Sequence, residues 1–192
     1  MTVTDRFLHL LPTAVFIWMV VGAVLVFTRD AGKRHPRGIG IAVTIWSTLA
    51  STAFAVTPPR WVQLLGVCGL IGSLALFQWA AMSIRGVLFS FAGNDDLPQF
   101  VHRSGPYAYV RNPFYLSYFL AEIATVVMWP SVWGAAIVVM AFGYFQWIAR
   151  FEEGKFAQSP VAAQYAEYKA TTGRLLPRVF SAASRPAAAE GE

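Results

Sequence analysis

Five apolar runs dominate this sequence, each long enough, or nearly so, to cross a bilayer at about 1.5 Å of helical rise per residue. They are Leu8–Thr28, Ile39–Val56, Trp61–Ile84, Pro113–Met128 and Val132–Ala149. No other feature constrains the fold as much, because backbone that crosses hydrocarbon must satisfy its own hydrogen bonds. The composition agrees: 56% of residues are hydrophobic and 13% charged, where about a quarter charged is usual in soluble domains. The first run lacks the marks of a cleavable signal. Asp5 spoils a basic n-region, the apolar stretch is too long, and Arg29-Asp30 follows without a small-residue cleavage site. The last two runs are joined only by Trp129-Pro130-Ser131, which reads as a tight helical hairpin because proline cannot continue the helix. The expected fold is an all-α integral membrane protein of five transmembrane helices, with a tight hairpin between the fourth and fifth and a cytoplasmic C-terminal helical segment.

Basic residues set the expected orientation. Of fifteen Lys and Arg, only Arg6 and Arg60 fall on one side of the five runs. The other thirteen lie in the first and third loops and after the last run, so the N-terminus is expected outside and the C-terminus in the cytoplasm. The two large polar pieces, Arg85–Asn112 and Arg150–Glu192, then share the cytoplasmic face. The first is long for a loop and rich in aromatics (Phe89, Phe91, Phe100, Tyr107, Tyr109), which predicts an ordered, functional one. In the second, Ser159 reads as an N-cap and Pro160 as the first helical residue, with Gly173 as the stop. Val161, Tyr165, Tyr168 and Thr172 fall on one face of that helix. Ser181–Glu192, rich in Ala, Ser, Pro and Glu, reads as disordered. The chain thus divides into three N-terminal spans (1–84), a core of loop, hairpin and amphipathic helix (85–180), and a tail (181–192).

Cys68 is the sole cysteine, and His9, His35 and His102 lie far apart, so no disulfide, zinc-cysteine cluster or other metal site is expected. Scattered basic residues argue against nucleic acid as a partner. Gly66, Gly69 and Gly72 recur every three residues without a preceding strand, which suits close helix packing rather than a dinucleotide. Glu122 lies about 13 Å into its span. It either fixes packing, with Gln78, Tyr144 or Gln146 as partner, or serves function. Gln146, Arg150 and Glu153 form one stripe at the end of the fifth run. Spacing alone leaves it open whether they decorate a surface or bind a zwitterionic ligand.

The segment Gly105-Pro106-Tyr107-Ala108-Tyr109-Val110-Arg111-Asn112-Pro113-Phe114-Tyr115-Leu116 resembles the G-P-Y-x-x-x-R-H-P-x-Y-x signature of the isoprenylcysteine carboxyl methyltransferase and phospholipid methyltransferase superfamily. Arg150-Phe151-Glu152-Glu153, Tyr165-Ala166-Glu167-Tyr168 and Leu176-Pro177-Arg178 resemble its second signature and its ending. The resemblance covers about Gln99 to Phe180. It implies an integral membrane methyltransferase that uses S-adenosylmethionine at the cytoplasmic surface. Carried over position by position, the cofactor-binding residues are Gln99, Phe100, Val101, His102, Tyr107, Asn112, Pro113, Phe114 and Tyr115. A glutamate of the pair completes them: alignment with the family favours Glu152, the helical stripe favours Glu153, and both are kept. Arg111 and Arg150 are the candidate catalytic residues. Aromatic faces suit a sulfonium, and a carboxylate suits the cofactor's ammonium or ribose.

The chain departs from the family pattern at three places. Asn112 stands where histidine is usual. The stretch between Glu153 and Tyr165 is about one residue longer than usual and lacks the family's glycine before Y-x-x-Y. Ile148 stands where carboxyl methyltransferases carry an arginine for the substrate carboxylate. The expected acceptor is therefore a lipid-like or other apolar small molecule drawn from the bilayer, isoprenylcysteine methyltransferase-like in frame. A phospholipid N-methyltransferase and a non-catalytic membrane scaffold that keeps the frame are the alternatives. A transporter is disfavoured by the absence of any repeat.

Overall fold

The computed structural model describes residues 3–27, 55–85 and 97–178. Over these the protein forms five helices: α1 (Val3–Phe27), α2 (Arg60–Ser83), α3 (Pro113–Met128), α4 (Val132–Phe156) and α5 (Ala162–Thr171). Among the described residues there is no strand, only an isolated parallel bridge between Val110 and Gly173. The expected second span, Ile39–Val56, lies outside the described residues except for its last two, as do 86–96 of the loop expected on the cytoplasmic side and the tail 181–192.

Three helices, α1, α2 and α4, are long and apolar enough to cross a membrane; α3, with 16 residues, is shorter. Pro113 opens α3, where its missing N–H costs nothing. Ser131 opens α4, its hydroxyl accepting from the Gly134 amide at 2.9 Å. α4 runs past the expected limit at Ala149 to Phe156. Arg150 through Glu153 therefore sit in regular helix.

Ion pairing and packing fix the helix directions. Asp5 near the start of α1 pairs with Arg60 at the start of α2 at 2.6 Å. Seventeen residues on in each helix, Gly22 faces Phe77, whose ring a Cβ would approach to 2.8 Å. The two helices run parallel. α3 runs against α2, with Gly66 and Gly69 turned to Ala124 and a T-shaped Phe77–Phe114 contact at 5.2 Å. α4 returns along α3 through the Tyr115–Phe145 stack at 5.7 Å and the Phe119–Phe142 contact at 5.3 Å. Phe16, Met19, Leu70, Phe77 and Met128 fill the core. Trp129 closes one end, its indole N–H donating to the Leu8 carbonyl at 3.3 Å and its ring stacking on His9 at 3.6 Å. Glu122 is buried.

Two of the three spaced glycines thus serve close approach, and the third does not. A Cβ on Gly66 would lie 2.8 Å from the Ala124 carbonyl oxygen, whereas one on Gly72 would meet nothing within 4 Å. Gly66→Val should destabilise the α2–α3 pair by about 1–3 kcal/mol through overpacking. Gly72→Ala should leave stability unchanged or slightly raised. Thermal unfolding midpoints in detergent check both; equal midpoints for the two variants contradict this packing.

α5 begins later than its sequence suggests. The Ser159 hydroxyl donates back to the Phe156 carbonyl at 2.8 Å, and its oxygen takes the Val161 amide at 3.3 Å. Ser159 therefore closes a turn that follows α4, and the helix starts at Ala162 rather than at Pro160. The expected face is nonetheless the buried one, at Val161, Tyr165, Tyr168 and Thr172.

Candidate functional site

The site is built where the ends of α2 and α4, the start of α3 and the C-terminal segment converge. Gly105 has φ +61°, a left-handed conformation that glycine adopts freely. A Cβ there would also come within 2.9 Å of the Ser83 Cβ and 3.3 Å of the Trp79 indole nitrogen. Gly105 thus lets the turn Gly105–Ala108 lie against the end of α2. The turn buries Tyr107, whose carbonyl accepts the Tyr168 hydroxyl at 2.5 Å. Burial holds the Tyr107 hydroxyl well above the usual phenol range, so it stays protonated. His102 meets the Tyr107 ring edge-on at 5.0 Å and shares a hydrogen bond with Ser104 at 3.0 Å. Desolvation lowers its imidazole below the ordinary value, which favours the neutral ring.

Beyond the turn the backbone pairs with the C-terminal segment. The Arg111 amide donates to the Gly173 carbonyl at 2.8 Å and the Asn112 amide to that of Arg174 at 3.1 Å. The Asn112 side chain donates to the same Arg174 carbonyl at 3.3 Å. Arg111 also donates to the carbonyls of Thr172 and Lys169 and, through Nε, to Glu153 Oε1 at 3.0 Å. Arg174 grips the same carboxylate at both oxygens, with Nε to Oε1 at 3.0 Å and Nη2 to Oε2 at 2.9 Å. Its Nη1 reaches Gln146 Oε1 at 3.2 Å. Glu153 is buried between the two guanidiniums, and its hydrogen bond raises the pKa of Arg174.

The neighbouring glutamate does something different. Adjacent helical residues diverge by about 100°. Glu152 turns toward α3, where Oε1 accepts the Tyr115 hydroxyl at 2.9 Å. Tyr115 in turn stacks on Phe145. The glutamate pair thus divides between two faces: Glu153 faces the C-terminal segment and Glu152 faces the aromatic wall. A carboxylate with one oxygen held by a phenol, beside stacked aromatic rings, suits a cationic or hydroxyl-bearing molecule.

The sequence-derived residues are not all gathered here. Tyr107, Arg111, Asn112, Pro113, Phe114, Tyr115, Glu152 and Glu153 converge, with His102 at their edge. Gln99 and Phe100 are exposed, Gln99 bonding the Leu97 carbonyl at 3.1 Å; Val101 is half-buried between them and His102. Arg150 is exposed on α4 and is not the partner of Glu153, although helical spacing pairs them. The charge on Glu153 is met by Arg111 and Arg174, which reach it from other segments. Arg174 escaped sequence reasoning. Its only local signal was its place just after Gly173, in the segment read for Leu176-Pro177-Arg178. Among the described residues, no group of three or more His, Cys, Asp or Glu is gathered to hold a metal ion.

These features define a helical membrane protein with an aromatic, carboxylate-bearing site at one end of its bundle. The family model for phospholipid methyltransferase matches residues 61–160, from α2 to the turn before α5. The chain belongs to that family, within the superfamily of integral membrane methyltransferases. No curated protein matches it.

Proposed function

We propose that this chain is an S-adenosylmethionine-dependent membrane methyltransferase acting on a lipid-like or other apolar acceptor. The observation that carries the proposal is the Tyr115–Glu152 pair, set against the Tyr115–Phe145 stack at the junction of α3 and α4. When bound, the cofactor supplies an activated methyl group. The chain's own task is to orient donor and acceptor and to exclude water. Glu152 holds the cofactor's ammonium or ribose hydroxyls. Tyr107 and Tyr115 offer aromatic faces to positive charge. Asn112, Pro113 and Phe114 form the floor between them, and Gln99, Phe100, Val101 and His102 the approach. Arg111 acts through Glu153, and Arg150 stays at the surface, where it can meet an acceptor's phosphate.

The same proposal sets the site at the cytoplasmic end of a five-span bundle, in the core 85–180, with 1–84 as supporting spans. The parallel course of α1 and α2 supports this reading, and the sequence run Ile39–Val56 has the length and apolar character expected of a further span between them. A reporter fused after Glu192 is expected in the cytoplasm and one at Pro58-Pro59 outside. Both on one side contradicts the topology.

Acceptor choice follows from Ile148, half-buried and one helical turn before Glu152. An acceptor carboxylate would need a cation there, since an unpaired buried charge costs several kcal/mol. An amine, thiol or hydroxyl on an apolar molecule is expected to be methylated better. The family match favours a phospholipid amine among these. Labelled methyl transfer to phosphatidylethanolamine, apolar thiols and phenols, compared with a farnesylcysteine analogue, tests the proposal. Exclusive methylation of the farnesylcysteine carboxylate would overturn the inference from Ile148. Failure to bind S-adenosylmethionine at all would favour a scaffold that kept only the frame.

A further inference from the structure

We infer that Arg174 is a positioning residue for the methyl-transfer site: through Glu153 it clamps the C-terminal segment Ala162–Arg178 to α4 and to Arg111-Asn112, and so keeps Glu152 aimed at Tyr115. The inference rests on the proposed reading of that site, and it concerns a residue beyond the stretch 61–160 that the family model matches.

Arg174 joins three elements at once. Its guanidinium meets Glu153 at both oxygens, 3.0 and 2.9 Å away, and Gln146 at 3.2 Å. Gln146 and Glu153 lie seven residues apart on one face of α4, so the grip spans two helical turns. Its carbonyl accepts from both the backbone and the side chain of Asn112, at 3.1 and 3.3 Å. The segment before it is tied to the same loop by the Tyr168 hydroxyl on the Tyr107 carbonyl and by Arg103 on the Gln164 carbonyl at 2.6 Å.

Arg111 and Glu153 spend their hydrogen-bonding capacity on one another, on Arg174 and on the carbonyls of Lys169 and Thr172. They frame the site without facing a ligand. What the frame controls is the rotation of the last turns of α4. Glu152 follows from that rotation, because a helix pinned at Gln146 and Glu153 leaves its neighbour one direction, toward Tyr115. Lysine could not replace Arg174 in this role, since a point charge cannot grip both carboxylate oxygens and the Gln146 oxygen together.

The test uses the full chain in lipid nanodiscs, with Arg174→Gln as the main variant and Arg174→Lys as a milder one. Amide hydrogen exchange, read without any ligand, should quicken at least tenfold in peptides spanning Arg111-Asn112 and Thr172–Arg174, and stay unchanged in α2 and α3. Where methyl transfer is measured, the KM for S-adenosylmethionine should rise about tenfold while the KM for the acceptor stays constant. Arg174→Lys should move both readouts the same way by about threefold, and it carries the test if the glutamine variant does not fold. Unchanged exchange at Arg111-Asn112 overturns the clamp. A loss of active protein with both KM values unchanged overturns the positioning role and leaves a purely structural one. A parent protein that transfers no methyl group defeats the functional reading alone, and the exchange pattern then decides the clamp by itself.

Discussion

Replacing Glu152 with glutamine is expected to raise the KM for S-adenosylmethionine by roughly ten- to a hundredfold while leaving the protein folded. The substitution keeps an oxygen for the Tyr115 hydroxyl, which Glu152 accepts at 2.9 Å, so the α3–α4 contact survives. What it removes is the ionisable carboxylate, which the cofactor's ammonium or ribose hydroxyls would hold in its charged form. A hydrogen bond to a charged group contributes about 1.5–3 kcal/mol, and each 1.4 kcal/mol is about tenfold in affinity. Tyr115→Phe should have a smaller effect in the same direction, because the carboxylate itself remains but loses the donor that orients it. Steady-state kinetics with the cofactor varied at saturating acceptor separate the two. A Glu152→Gln enzyme with an unaltered cofactor KM would place the cofactor elsewhere.

Glu153→Gln should behave in the opposite manner, with a large loss of stability. Glu153 and Arg111 are each only 6% exposed in their side chains, and Arg174 is 23% exposed. Neutralising the shared carboxylate leaves two guanidiniums facing one another in a poorly solvated place. Breaking a buried ion pair by removing one partner costs about 3–5 kcal/mol; the partial exposure of Arg174 argues for the lower end. The control is Glu167→Gln, which breaks the exposed Arg103–Glu167 pair at 3.1 Å and should cost about 0–1 kcal/mol. Denaturant titration in mild detergent reads both. Equal effects at positions 153 and 167 would show that the buried triad holds nothing together.

The division of labour between these adjacent glutamates marks where the sequence stopped being legible. Local features were readable because their causes are local. Pro113 begins α3 and the Trp129-Pro130-Ser131 turn follows Met128, as the apolar run and its prolines indicated. The stripe of Val161, Tyr165, Tyr168 and Thr172 is buried as its spacing required, even though Ser159 spends its hydroxyl on Phe156 and delays the helix. Choosing between Glu152 and Glu153 depends instead on Tyr115, Arg111 and Arg174, which come from three other segments. Helical spacing offered Arg150 as the partner of Glu153, since i and i+3 neighbours meet on a helix surface. The structure supplies Arg174 instead, because the pairing of Val110 with Gly173 brings the chain after α5 back beside Arg111. No periodicity in the sequence encodes that return.

The central claim is that the aromatic wall and Glu152 hold S-adenosylmethionine at the end of the bundle. Its most direct test is a binding titration of the purified chain in lipid nanodiscs with labelled S-adenosylmethionine, run beside Glu152→Gln and Tyr107→Ala. The account predicts saturable binding by the parent, at least tenfold weaker binding by both variants, and no change with Glu167→Gln. Saturable binding that all three variants share equally would contradict it, as would a folded parent that binds none.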